Sequence, residues 1–271
     1  MQKYILTLLL ALTQLSAQNL SGNISLEGRF FPDDPLQNVQ HGSTFSLAIQ
    51  PEYYVEFGGN TLFQISPFFR YDAHDDQRTH FDFRELYLET YFDRWELRAG
   101  LRKIFWGVTE SVHLVDVVNQ TDLVENLDGG HPMVELNWIP DWGASSFIWM
   151  PYFRNRTFPG EEGRLRFPFV IDKDNDPIYE SDSEKWHSDL AVRVSRTIGL
   201  IDIGLSHFYG TSREPRFRVG DTGTAIPSYD LMHQTGLDFQ LTAGGWLWKL
   251  VAISREALGK RLTAFAGGFD Y

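Results

Sequence analysis

The sequence predicts an all-β protein, an antiparallel transmembrane β-barrel of about twelve strands. Three observations carry that expectation. Apolar and polar residues alternate at period two through most of the chain, which is the signature of strands with two unlike faces. The connections between these segments are alternately short and long. Aromatic residues make up 15% of the chain and gather at segment ends, where amphipathic rings favour a membrane–water interface.

The clearest segment pair lies at residues 84–102. Leu86, Leu88 and Phe92 share one phase, against Glu85, Tyr87, Glu89 and Tyr91. Across an Asp93-Arg94 turn, Trp95, Leu97, Ala99 and Leu101 alternate with Glu96, Arg98, Gly100 and Arg102. A two-residue connection between alternating runs predicts an antiparallel hairpin. The same period recurs upstream at residues 23–30, 45–57 and 63–71. Downstream it recurs at 134–138, 145–153, 186–195, 201–206, 236–241, 246–255 and 261–271. Short turns fall near Gly58, Asp93, Asp141, Thr197 and Ala243, and the intervening connections are mostly long and polar. The short link at residues 256–260 is the exception. Outer-membrane barrels sort their loops by this parity, with tight periplasmic turns and long outer loops. A soluble sandwich is the alternative, and it has no reason to do so. Phe92 with Trp95, Trp138 with Trp142, and Trp246 flank the short turns and are expected to form the periplasmic aromatic girdle.

The N-terminus predicts export. Lys3 precedes an apolar run at residues 4–15 that is too short to span a bilayer as a helix, and Ser16-Ala17 offers a small-residue cleavage site. Residues 1–17 are therefore expected to be a signal peptide, and residues 18–271 one barrel domain. The alternative is an uncleaved anchor or a buried helix. The chain has no cysteine, which excludes disulfides, thiol catalysis and a lipid-anchored cysteine. An exported protein without disulfides fits a large sheet. A formal charge of −12 argues against nucleic acid as a partner, because phosphate needs a basic surface. Mean hydropathy of −0.28 implies no helical membrane protein, but it suits a barrel, in which only alternate residues meet lipid.

If the apolar phase faces lipid, Glu85, Glu89, Glu96, Arg98 and Arg102 line the lumen, with Arg70 from the preceding segment. Opposed charges across a constriction select solutes by charge and dipole. The plainer reading is that these charges pair and fill a narrow barrel. Arg84 shares a phase with Leu86, so it either sits near the outer rim or precedes a bulge that shifts the register. The connection at residues 103–128 is unusually apolar. It is expected to pack, either into the lumen or on the rim. Phe105 and Trp106 lead it, and Asp116, Asn119 and Asp122 are its candidate polar groups.

R-E-x-Y-L at residues 84–88, the run from Gly100 to Trp106-Gly107 and D-V-V-N-x-x-D at residues 116–122 resemble a porin-like β-barrel family of the proteobacterial outer membrane. N-W-I-P at 137–140 and W-L-W-K at 246–249 are similar too. The chain differs in carrying Gln120 where the family has proline. The resemblance implies a Gram-negative outer-membrane barrel, no settled substrate, and strands continuing beyond Tyr271. The strand ending at Tyr271 reads equally as the closing strand of an even-numbered barrel.

Catalysis is not expected. No Gly-x-Ser-x-Gly elbow occurs, and His187, His207 and His233 show no serine–acid pattern around them. Asp172, Asp174 and Asp176 alternate as calcium ligands do, but Pro177 and Ser183 occupy the positions of the turn glycine and the bidentate glutamate, so a solvated acidic loop is expected and no metal or cofactor. The expected function is passive diffusion of small solutes through a charge-lined lumen, with membrane lipid and lipopolysaccharide around the barrel. A homo-oligomer is compatible with this. The alternative is a closed structural or adhesion barrel whose outer loops bind partners.

Overall fold

The computed structural model describes residues 19–110, 112–172, 175–220 and 224–271; the expected signal peptide lies outside them. In chain order the strands are β1 (Leu20–Phe30), β2 (Ser43–Phe57), β3 (Thr61–Asp72), β4 (His80–Phe92), β5 (Trp95–Arg102), β6 (Gln120–Asp122), β7 (Leu127–Gly129) and β8 (His131–Trp138). Then come β9 (Ala144–Met150), β10 (Ile178–Tyr179), β11 (Asp189–Ile198), β12 (Ile201–Thr211), β13 (Arg216–Val219), β14 (Ala225–Tyr229), β15 (Leu231–Ala243), β16 (Trp246–Ala257) and β17 (Lys260–Asp270).

Twelve of these form one antiparallel sheet in the order β1-β2-β3-β4-β5-β8-β9-β11-β12-β15-β16-β17. Every strand pairs with its predecessor in the sheet, so the sheet is a meander. Among the described residues β1 and β17 do not pair with each other, and the sheet stays open along those two edges. The parity of the connections is as expected. Residues 58–60, 93–94, 139–143, 199–200 and 244–245 are short and lie at one end. At Gly244 and Gly245 both residues have positive φ, 61° and 84°, as tight hairpin turns of the primed type require. The turn at 258–259 is short although it lies at the long-loop end.

The two phases face opposite ways. On β12, Ile203 and Leu205 are exposed, while Gly204 between them and Ser206 and Phe208 beyond them are buried. On β3, Phe69 and Tyr71 are exposed, and Arg70 and Asp72 are buried. The apolar phase is thus the outer face, and the charged phase faces inward. Arg84 obeys this rule through a register shift. Ser66 pairs with Glu85 and Pro67 with Phe83, leaving Arg84 as an extra residue on β4. A one-residue bulge reverses the side-chain phase, so Arg84 and Glu85 both serve the inner side.

The aromatic rings expected at the short-turn end gather there. Trp95 pairs with Trp138 and stacks on it at 6.0 Å, and Trp138 meets Trp142 edge-on at 5.8 Å. Trp246 contacts Tyr271 at 4.6 Å and Phe269 at 5.2 Å.

The long connections are more structured than their polarity predicts. The return strand ends at Met150, not Phe153, and residues 184–186 form a 3-10 turn ahead of β11 rather than its first residues. Parts of the 151–188 and 212–230 connections pair as a separate sheet in the order β10-β14-β13. Phe158, Phe167, Phe169 and Phe217 pack beside it, with ring centroids 5.1–6.4 Å apart. Three of these rings come from the 151–188 connection and Phe217 from 212–230, so no local period marks the cluster in sequence.

Candidate functional site

The inner wall has two chemically distinct sectors. The first spans β3, β4, β5 and β8. Glu89, Arg98 and Glu135 stand in one row, because the register pairs Glu89 with Arg98 and Arg98 with Glu135. Arg98 Nε lies 3.1 Å from Glu89 Oε2, Nη1 donates to Glu135 Oε2 at 3.4 Å, and the guanidinium also meets Glu96. Arg102 donates to the same Glu135 oxygen at 2.6 Å, and its guanidinium lies 4.7 Å over the Tyr87 ring. Gln64 donates to Glu85 at 3.0 Å. Nearer the long-loop end, Arg70 Nε lies 2.7 Å from Glu125, and Arg78 joins Glu27 at 2.8 Å and Asp72 at 2.7 Å.

The second sector spans β8 to β17 and is largely apolar. Met133, Ile148, Phe208, Val251 and Ile253 are buried on its inward phase. A wall facing water would expose them. The connection at residues 103–130 covers them instead: Ile104, Trp106, Val115, Val117 and Val118 pack against this sector as one cluster. The wall makes room with a small residue, since a Cβ built on Gly236 would lie 3.0 Å from Val115 Cγ1.

The ends of this loop are clasped. Asn119 Nδ2 donates to Ile104 O at 2.7 Å, and Ile104 N donates to Asn119 Oδ1 at 2.8 Å. Its flanks are tied to both sectors. Glu110 accepts from Lys249 on β16 at 2.8 Å, Asp122 accepts from Arg84 on β4 at 3.0 Å, and Glu125 meets Arg70 on β3. One loop reaching β3, β4 and β16 together means that the sheet curls around it.

The sequence-predicted residues divide accordingly. Arg70, Glu85, Glu89, Glu96, Arg98 and Arg102 lie on the inward phase. Trp106, Asn119 and Asp122 are buried within the infolded connection, whereas Phe105 is 61% exposed. Asp116 accepts from Trp106 N. Sequence reasoning missed Glu135, and the Arg193–Asp238 pair across β11 and β15, although all three sit on the inward phase of recognised strands. Extending the phase rule would have found them. It also missed Arg213, which lies between strands where no periodicity marks it.

In the acidic segment weighed for calcium, Asp172 accepts from Asn175 N at 3.0 Å, and Asp174 lies outside the described residues. Asp122 is held below the usual carboxylate range. Burial opposes ionisation there, but donation from Thr157, Arg84 and the Glu125 amide outweighs it. Asp116 goes the other way. Burial pushes its carboxyl up to about 6, and Asp128 adds to the rise, while the Trp106 amide, His113 and Arg193 oppose it. Asp116 lines a cavity of about 240 Å³ with His113, Asn119 and Arg156.

This has a measurable consequence in an open lumen. With its carboxyl pushed up to about 6, Asp116 gains negative charge as pH rises through that value. Cation preference, read from reversal potentials, is expected to fall as pH drops through about 6. Asp116→Asn should remove that step. A pH profile unaltered by Asp116→Asn would place the titrating group elsewhere. Because the folded pKa is raised, the ionised carboxyl opposes folding above about 6, and that penalty fades as pH falls from there toward the ordinary value of 3.8.

The fold and interior together define a class: one antiparallel meander with an apolar outer face and an ion-paired inner face crossed by a loop. No protein-family model matches the chain, and no curated protein does. Among solved structures it is similar to OmpT, an outer-membrane protein of Vibrio cholerae in trimer form, with TM-score 0.47 and 11% identity over 93% of this chain and 72% of that one. OprB of Pseudomonas putida at high pH gives TM-score 0.44 and 10% identity over 95% and 71%. A mutant of the Rh. blastica porin gives 0.34 and 8% over 93% and 89%.

Proposed function

We propose that the protein is a porin-like channel of a Gram-negative outer membrane, passing small solutes without catalysis. The observation that carries this reading is the division of the sheet's faces. Exposed Phe, Trp, Leu and Ile side chains cover the outside, and ion pairs occupy the inside. Soluble proteins rarely expose apolar surface on this scale, whereas lipid solvates it and disfavours charge by about 2–4 kcal/mol per mid-membrane Arg. Membrane lipid and lipopolysaccharide are then the outer partners, and the aromatic rim of Trp95, Trp138 and Trp246 marks one interface. Residues 18–271 act as one domain after removal of residues 1–17. The lumen sector of Arg70, Glu85, Glu89, Glu96, Arg98 and Arg102, facing the loop that carries Phe105, Trp106, Asp116, Asn119 and Asp122, sets selectivity by size and charge.

The test is conductance of the refolded protein in a planar bilayer. Discrete ohmic steps are expected. Arg98→Ala with Arg102→Ala leaves Glu89, Glu96 and Glu135 without those two cations, so the reversal potential should shift toward cation selectivity. An unchanged reversal potential would remove this sector from the conduction path. A second reading, a closed barrel whose outer loops bind partners, is favoured by the ties that anchor the 103–130 loop to both sectors. Silence from a folded chain would select it.

A further inference from the structure

The geometry points to a transition-metal site on the long-loop face, formed by His41, His74 and Glu162. These residues come from three different connections: the one after β1, the one after β3, and the one between β9 and β10. One ligand atom from each lies within 4.8 Å of the other two. The imidazoles of His41 and His74 stack at 3.7 Å with 17° between their planes, and His41 Nε2 lies 3.5 Å from Glu162 Oε2. Tetrahedral ligands at about 2.0–2.2 Å from zinc stand about 3.3 Å apart. The stacked rings hold their nitrogen lone pairs nearly parallel, so ligation requires at least one imidazole to turn out of the stack about its own side-chain torsions.

Three separated segments do not converge in this way unless something holds them. Here each ligand sits next to a cross-loop bond. Gln40, beside His41, donates to Gly163 O at 2.9 Å, beside Glu162. Asp75, beside His74, accepts from Gly160 N at 3.0 Å. The three ligand-bearing backbones are therefore fixed before any ion arrives, which reduces the ordering cost of binding. All three residues also line a cavity of about 340 Å³. Two nitrogens and one carboxylate leave a fourth position open toward that cavity for water.

The donor set selects the ion. Imidazole suits zinc, copper and nickel, whereas calcium and magnesium take mainly oxygen ligands. The ion is therefore a divalent first-row metal, exchangeable through the open position, and its binding staples the three connections together. This inference does not depend on whether the barrel conducts.

Isothermal titration of the full folded chain in detergent with zinc chloride at pH 7.5 tests it. One equivalent is expected to bind, with calcium chloride giving no heat. His41→Ala, His74→Ala and Glu162→Gln should each weaken zinc binding about tenfold or more, while His207→Ala and His233→Ala leave it unchanged. X-ray absorption of the zinc-loaded protein should show two imidazoles per metal, and limited proteolysis of the three connections should slow. The variants change loop side chains, and retained far-ultraviolet β-signal would confirm that they fold. No zinc binding, or binding indifferent to both His41→Ala and His74→Ala, would overturn the assignment.

Discussion

If the protein conducts as proposed, replacing residues 105–118 with a two-glycine linker is expected to raise unit conductance about twofold or more, because the loop would then narrow the lumen. The cut follows the molecule's own geometry. The Asn119 side-chain amide already exchanges two hydrogen bonds with the Ile104 backbone, so the linker has only a side chain's reach to span between β5 and β6. The excision removes Trp106, Val115, Val117 and Val118 from the interior, and with them the cover over Ile148, Phe208 and Val251. Each buried apolar side chain contributes roughly 1.5–3 kcal/mol, so the excised protein should also be less stable. Val115→Asp with Val118→Asp provides the milder test, because a charged pair pressed on an apolar wall displaces the loop without shortening it. In either folded variant, conductance equal to or below wild type would show that the loop does not narrow the path.

How legible this architecture is depends on whether a feature is local. Alternation records which side of a strand each residue faces, so the two faces and the twelve-strand count can be read directly. The Arg84 problem also declares itself, because a charge on an apolar phase demands either an edge or a bulge. The infolded loop announces itself by composition, since Val112, Leu114, Val115, Val117 and Val118 are too apolar for a solvated connection. Pairings between connections leave no such trace. Nothing near Phe217 predicts that it meets Phe158, and nothing near Glu125 predicts Arg70. The same holds for His41, His74 and Glu162, which are far apart in the chain and close only in the fold. Polarity alone makes these stretches look unstructured, because their apolar residues are scattered and find their partners from other loops.

Arg213 shows what that blindness hides, and it gives the largest stability prediction. Asp189 is 1% exposed and Arg213 is 5% exposed. Arg213 Nη1 donates to Asp189 Oδ2 at 2.6 Å, while Thr211 N and His187 Nδ1 donate to Oδ1 at 2.9 and 2.8 Å. The guanidinium also donates through Nε to Val118 O at 3.0 Å and lies 5.1 Å over the Phe208 ring. Asp189→Ala leaves this buried cation without its counter-ion and is expected to cost about 3–5 kcal/mol, read as a lowered urea midpoint for the protein in lipid vesicles. Asp189→Ala combined with Arg213→Met removes both charges and should recover much of that loss, because the single variant's penalty comes chiefly from the unpaired cation. Additive losses in the double variant would mean that packing, not charge, dominates at this position. The pair also reaches the infolded loop through the Val118 carbonyl, so Asp189→Ala should loosen that loop and, if the barrel conducts as proposed, make the current noisier before the sheet unfolds.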